Sequence, residues 1–254
     1  MHATAIAQPN IALVKYWGKR DVSRNLPAVG SISITLRDLY TEVSIDLGSG
    51  LSQDELLFNG ERNDEMLPRI AACIDSVIGE GRPRVRVSSK SNFPIAAGLA
   101  SSASAFAATT VAAASAAGLS FSMLELTQLA GQASGSAARS LYGGFAELKN
   151  SGESIEVTSL CDVDSWPMQV IVAITETEPK AVGSTVAMEV SRKTSLFYEN
   201  WIAQQDQDLD SARVAIDRRD FESLAVVAEH NCLKMHSVMW ASRPPLVYWN
   251  AATI

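Results

Sequence analysis

The sequence predicts a mixed α/β protein of the α+β sandwich type, arranged in two lobes. Three observations carry that expectation. Runs of alternating apolar and polar residues mark strands, segments with helical spacing lie between them, and the last third of the chain reads as mainly helical. With 254 residues, the chain fits one large domain or two small ones. The spacing places a boundary near residue 175, giving an N-terminal lobe over 1–175 and a helix-rich C-terminal lobe over 176–254. No Pro/Gly-rich linker marks that boundary.

The strands come first. Ser31 to Leu36 puts Ile32, Ile34 and Leu36 on one face, and Thr41 to Leu47 does the same with Val43, Ile45 and Leu47. Arg84 to Ser88 alternates in the same way. Met168 to Ile174 is nearly all apolar, which predicts a strand buried on both faces. Helical spacing links Met66, Leu67, Ile70, Ile74, Val77 and Ile78. Ser122 and Glu125 form a capping box at the start of another helix. Phe221, Leu224, Ala225 and Ala228 share a helical face. From Ala96 to Gly118 the chain is rich in alanine and serine, and reads as one helix able to pack closely on a sheet.

Charge narrows the function. Twenty-one basic against twenty-eight acidic residues give a net charge of −7, against the basic surface of a duplex nucleic-acid binder. No run of eighteen apolar residues predicts a membrane span, and the N-terminus lacks a secretory pattern. The three cysteines, Cys73, Cys161 and Cys232, stand far apart and outside any metal-binding spacing. A cytoplasmic protein with reduced thiols is expected.

Four segments concentrate chemistry. Pro94 to Ser104 joins a strand to the alanine-rich helix through Gly98, Ser101, Ser102 and Ser104. Free backbone N–H groups, a helix N-terminus and hydroxyls there suit a phosphate chain. Asn10 to Asp21 crowds Asn10, Lys15, Tyr16, Lys19 and Arg20 into one stretch, donors for phosphate or carboxylate. Ser134, Ser136 and Arg139 make an anion clamp. Lys180, Ser184 and Thr185 form a weaker fourth segment. Each alone also fits a plainer role, as a capped turn or a solvated basic loop. His230 and His236 read as packed or solvated, Trp201, Trp240 and Trp249 as core or interface aromatics. Asp206, Asp208 and Asp210 read as a solvated acidic stretch.

In their order along the chain, these segments resemble the diphosphomevalonate decarboxylases of the GHMP kinase superfamily. The resemblance runs from Ala5 to Asn250. It is carried by NIALVKYWGKRD, SISITL, NFPIAAGLASSASA, SGSAARSLYGGFAE and MHSVMWASRPPLVYWN. It implies a two-lobe fold of that superfamily, ATP and Mg2+ as cofactors, and 5-diphosphomevalonate as the small-molecule partner, with neither nucleic acid nor membrane. The implied reaction phosphorylates the 3-hydroxyl, then releases phosphate and CO2 to leave isopentenyl diphosphate. A paralogous mevalonate 3-kinase, a phosphomevalonate decarboxylase or a non-catalytic binding protein on the same scaffold are the alternatives, and a homodimer is among the assemblies allowed.

Residue by residue, the resemblance assigns Tyr16, Lys19, Ser134 and Ser136 to the diphosphate. It puts Asn10 and Arg139 at the carboxylate, and Ser184 and Thr185 at the substrate from the second lobe. Lys19 and Arg139 take the catalytic roles. Asn92, Gly98, Ala100, Ser101, Ser102 and Ser104 hold the nucleotide, Ser102 also contacting Mg2+. The chain departs from the family at Ile95, where a threonine is usual. It also ends at Ile254 without the DAGPN-type segment that carries an aspartate near the reacting hydroxyl. The expectation is a second lobe incomplete at its C-terminal side, with an exposed apolar edge. The 254-residue polypeptide is then expected to bind anions but to turn over 5-diphosphomevalonate slowly.

Overall fold

A computed structural model of the protein describes residues 1–48, 50–94, 99, 101–175 and 182–253. A five-stranded sheet has the order β1-β6-β9-β7-β8. Its strands are β1 (His2–Ala7), β6 (Thr41–Leu47), β7 (Glu55–Phe58), β8 (Glu61–Arg62) and β9 (Val85–Ser91). A four-stranded antiparallel sheet has the order β11-β10-β5-β2, from β2 (Asn10–Val14), β5 (Ser31–Thr35), β10 (Phe145–Ser151) and β11 (Ser154–Cys161). A short ribbon pairs β3 (Lys19–Asp21) with β4 (Leu26–Pro27).

Helix α2 (Ser101–Ala116) packs on β1 and β6 of the first sheet, α1 (Leu67–Ile78) shares that core beside it, and α3 (Met123–Ala133) packs on α1 and α2 and against β11 of the second sheet. α2 is buried nearly all round, as its alanines allow: a helix with small side chains on every face can be sheathed on every face. Beyond α3, a 3₁₀ turn over Ala137–Leu141 lies under the second sheet, with Ala138 against Leu148 and Ile155. The other face of that sheet is covered by α5 (Tyr198–Arg218) and α6 (Phe221–Trp240) through Leu209, Ala212, Ile216 and Leu224. α4 (Ser184–Thr194) precedes them and packs with Trp17, Val29 and Trp201 in a separate core.

Most local expectations hold. β6 follows its alternation and α1 its periodicity, while β5 is buried on both faces, with Ile32 and Ile34 on one and Ser31 and Ser33 on the other. Both bonds of the capping box at Ser122 and Glu125 are made. All three cysteines are free thiols. His230 is exposed, while His236 packs against Trp240 and Trp249. No helix among the described residues is long and apolar enough to cross a membrane.

Two readings need correction. Met168 to Ile174 is not a buried strand: it is irregular, and Ile171 is 93% exposed. A strand needs a hydrogen-bonding neighbour, and among the described residues none runs beside it. Phe221 leaves the buried face assigned to it, because it opens α6 just after the N-cap Asp220, where the helix emerges from the core; it is 60% exposed.

Candidate active site

Arg139 sits on the 3₁₀ turn and is 1% exposed. Its Nε donates to Ser33 Oγ at 3.0 Å, Nη1 to Ser31 Oγ, and Nη2 to Asn10 Oδ1 at 3.4 Å. The strand period puts Ser31 and Ser33 on the same face of β5, which makes them a pair of acceptors. Asn10 is fixed in turn, its Nδ2 donating to Ser140 Oγ at 2.8 Å and to Ser136 O at 3.1 Å. Every partner of Arg139 among the described residues is neutral, and no carboxylate pairs with it. Burial pushes its guanidinium down to about 10, which leaves it charged at neutral pH. An unpaired buried charge is costly, and an anion beside it removes much of that cost.

Tyr16 completes this corner. Its hydroxyl is buried and has no hydrogen-bond partner among the described residues. Burial raises its pKa and the charge of Arg139 pulls the other way, so at neutral pH it remains an O–H donor. Its ring rests on Gly135, where a Cβ would stand 2.8 Å from the hydroxyl. Ser134 and Ser136 flank that glycine, their hydroxyls 3.4 Å apart. Residues 10, 16, 134, 136 and 139 therefore lie together in one corner.

Lys19 links this corner to α4. It is 8% exposed, and its Nζ donates to Thr185 Oγ1 at 3.0 Å, in the first turn of α4. Burial is the main cause that lowers its pKa; the nearby charge of Arg69 adds to this and Glu189 opposes it. Ser184 precedes Thr185 at the exposed start of α4.

Ser101 and Ser102, expected at the nucleotide, open α2 and are partly exposed. Gly98 and Ala100, with Ile95 and Lys180, lie outside the described residues. Ser104 turns inward, bonding Thr41 Oγ1 at 2.8 Å and Ser101 O at 3.2 Å. Asn92 is occupied too: it accepts from Tyr40 N–H at 2.8 Å and donates to Asp38 O at 2.9 Å, pinning that loop. Sequence reasoning missed Arg69, on α1, whose guanidinium lies 4.8 Å over the Phe106 ring of α2. Its charge is felt at Lys19, so two cations from distant segments share one region. It also misread Asp208. That carboxylate is no solvated acid, because Lys234 and Asn231 from α6 close on it at 2.8 and 2.7 Å.

Comparisons with known proteins agree with one another. Residues 7–161 match the diphosphomevalonate decarboxylase-like N-terminal domain, and residues 170–253 the mevalonate 5-diphosphate decarboxylase C-terminal domain. The diphosphomevalonate decarboxylase of Candida albicans is 33% identical, over 98% of this chain and 75% of its own. The mevalonate diphosphate decarboxylase of Staphylococcus aureus superposes with a TM-score of 0.86 at 35% identity, covering 99% of this chain and 78% of that one. MDDEF, solved in complex with MVAPP, AMPPCP and magnesium, superposes with a TM-score of 0.89 at 33% identity, covering 99% and 79%.

Proposed function

This chain belongs to the diphosphomevalonate decarboxylase family, and on that premise we infer that it carries out ATP-dependent decarboxylation of 5-diphosphomevalonate to isopentenyl diphosphate. The observation that carries the reading is the buried Arg139, charged and surrounded by neutral partners, beside the orphaned hydroxyl of Tyr16. A guanidinium has five N–H donors; three are used, on Ser33, Ser31 and Asn10, which leaves two for a carboxylate.

In this reading Arg139, oriented by Asn10, grips the substrate carboxylate. Tyr16, Lys19, Ser134 and Ser136 hold the diphosphate, and Ser184 and Thr185 close on it from the other lobe. ATP supplies the phosphoryl group that converts the 3-hydroxyl into a leaving group. Ser101 and Ser102 open α2, whose free N–H groups and positive end suit the nucleotide phosphates. Arg69 adds charge there. Among the described residues no group of three or more acidic, histidine or cysteine side chains could hold a metal by itself. That fits Mg2+ held chiefly by phosphates with one protein hydroxyl, Ser102, because Mg2+ keeps few protein ligands. Arg139 holds the carboxylate until the carbon–carbon bond breaks, while Lys19 balances the charge that grows on departing phosphate. The lobes divide at 175, the cytoplasm is the proposed location, and a homodimer is the proposed assembly.

The test measures ADP and CO2 with mevalonate, 5-phosphomevalonate and 5-diphosphomevalonate in turn, and the product ratio carries it rather than the rate. Equal amounts of ADP and CO2, from 5-diphosphomevalonate alone, support the reading. ADP without CO2 replaces it with a kinase. Nucleotide binding with neither product replaces it with a non-catalytic binding protein.

A further inference from the structure

The chain leaves its sheet just before the diphosphate-binding residues. β2 pairs with β5 only as far as Val14 opposite Ile32, with a register shift on the way. From Lys15 to Gly18, before β3 begins, the backbone has no strand to bond among the described residues, yet it is buried or half-buried, so its polar groups need other partners.

Two helices supply them. Tyr198, Trp201, Gln205 and Leu209 follow at helical spacing along α5, and all four are buried. Gln205 Nε2 donates to Lys15 O at 2.7 Å and to Gly30 O at 3.1 Å. Trp201 Nε1 donates to Trp17 O at 2.9 Å. Tyr198 lies against Gly18, and Leu209 against Gly30. From α6, Asn231 Oδ1 accepts from Lys15 N–H at 2.7 Å. The two amides bond each other, Asn231 Nδ2 to Gln205 Oε1 at 3.0 Å, and Asn231 Nδ2 also donates to Asp208 at 2.7 Å. Both backbone polar groups of Lys15 and the carbonyl of Trp17 are thus held by side chains of α5 and α6. Tyr16 lies between those two anchor points.

We infer that Gln205 and Asn231 are positioning residues for substrate binding: their paired amides stand in for a missing strand and fix the direction in which Tyr16 leaves the backbone towards Arg139. The inference rests on the assignment of Tyr16 to the diphosphate. Buried amides with every donor and acceptor used have one low-energy orientation, so the turn they hold is rigid before ligand arrives. They touch neither ligand, and their effect belongs to the 5-diphosphomevalonate end of the site alone.

The experiment titrates 5-diphosphomevalonate into the protein, then AMPPCP–Mg2+ into protein already saturated with it, and records Tm. It compares wild type with Gln205→Met and Leu209→Ala. Gln205→Met keeps the volume and removes the donor. It should weaken 5-diphosphomevalonate about tenfold, the usual order when a residue that orients a contact is lost, and leave AMPPCP–Mg2+ within about twofold. Leu209→Ala, on the same helix face, should lower Tm and leave both affinities within about twofold. Equal weakening of both ligands by Gln205→Met, or equal weakening of 5-diphosphomevalonate by Leu209→Ala, would show that α5 contributes stability alone and would overturn the inference. If Gln205→Met does not fold, Gln205→Asn, shorter by one methylene, takes its place with the same expected and overturning results. A wild type that fails to bind 5-diphosphomevalonate removes the functional reading and this inference together. A wild type that binds, with a variant that binds equally well, removes this inference alone.

Discussion

Arg139→Lys keeps the charge and discards the geometry. The guanidinium reaches Ser33, Ser31 and Asn10 through three different nitrogens spread over a plane. A lysine ammonium is a single point at the end of its stem, and it cannot satisfy three splayed acceptors and a ligand carboxylate together. At least one of the buried Ser31 and Ser33 hydroxyls loses its donor, at a cost of about 1–3 kcal/mol in folding stability. Losing one of two parallel charge-assisted bonds to the ligand costs about 1.5–3 kcal/mol, or roughly a 10- to 150-fold rise in Kd. Calorimetry with 5-diphosphomevalonate reads the second quantity, and urea unfolding the first. An affinity within about twofold of wild type, in a folded variant, would refute the assignment of the carboxylate to Arg139.

Gly135→Ala places a methyl 2.8 Å from the Tyr16 hydroxyl and 2.9 Å from its ring, so the ring must move; 5-diphosphomevalonate affinity should drop about 10-fold or more by calorimetry. Gly18→Ala is doubly unfavourable, because Gly18 has φ +107° and lies against the Tyr198 ring; urea unfolding should show a loss of about 2–4 kcal/mol. Lys19 has a pKa held below its ordinary value by burial, so it loses its proton earlier as pH rises. Anion binding favours the charged form, and calorimetry in two buffers of different ionisation enthalpy should detect proton uptake on binding at alkaline pH. Burial pushes His236 down to about 4, from an ordinary 6.5, and its Nε2 accepts from Trp249 Nε1 at 3.1 Å. The unfolded chain therefore binds more protons between those values. The neutral ring's contribution is complete above pH 6.5 and is lost as pH falls towards 4, and Tm measured across that window should flatten in His236→Phe.

The parts of the fold that were legible in the sequence are those decided locally. Ser122 and Glu125 cap α3 within one turn, and the alternation in β5 is a property of five consecutive residues. The same alternation placed Ser31 and Ser33 together, a signal that could have marked them as partners of Arg139. Met168 to Ile174 shows the limit of composition: an apolar run becomes a strand only where another strand accepts its hydrogen bonds. The site was legible where one short segment concentrates the chemistry, as from Asn10 to Lys19. It was not legible where contacts join remote segments. Arg69 stands fifty residues from Lys19 in the sequence, and nothing near it marks it as a neighbour of Lys19. Ser104 and Asn92 sit inside or beside the phosphate-loop motif, yet their hydrogen bonds go to Thr41, Tyr40 and Asp38. Asp208 reads as one of three alternating acids on a polar helix, and only the packing of α6 on α5 reveals its partners.

The account rests on a buried cationic corner built for an anion with a carboxylate at one end and a diphosphate at the other. The most direct measurement is calorimetric titration of wild-type protein with mevalonate, 5-phosphomevalonate and 5-diphosphomevalonate at two salt concentrations. The account predicts affinity that rises with each phosphate, to at least about 100-fold between the first and the last, because each adds charge-assisted bonds of about 1.5–3 kcal/mol. It also predicts only a modest salt dependence, because Arg139 and Lys19 are buried and weakly screened. Equal affinity for all three, or a preference lost entirely at high salt, would contradict it.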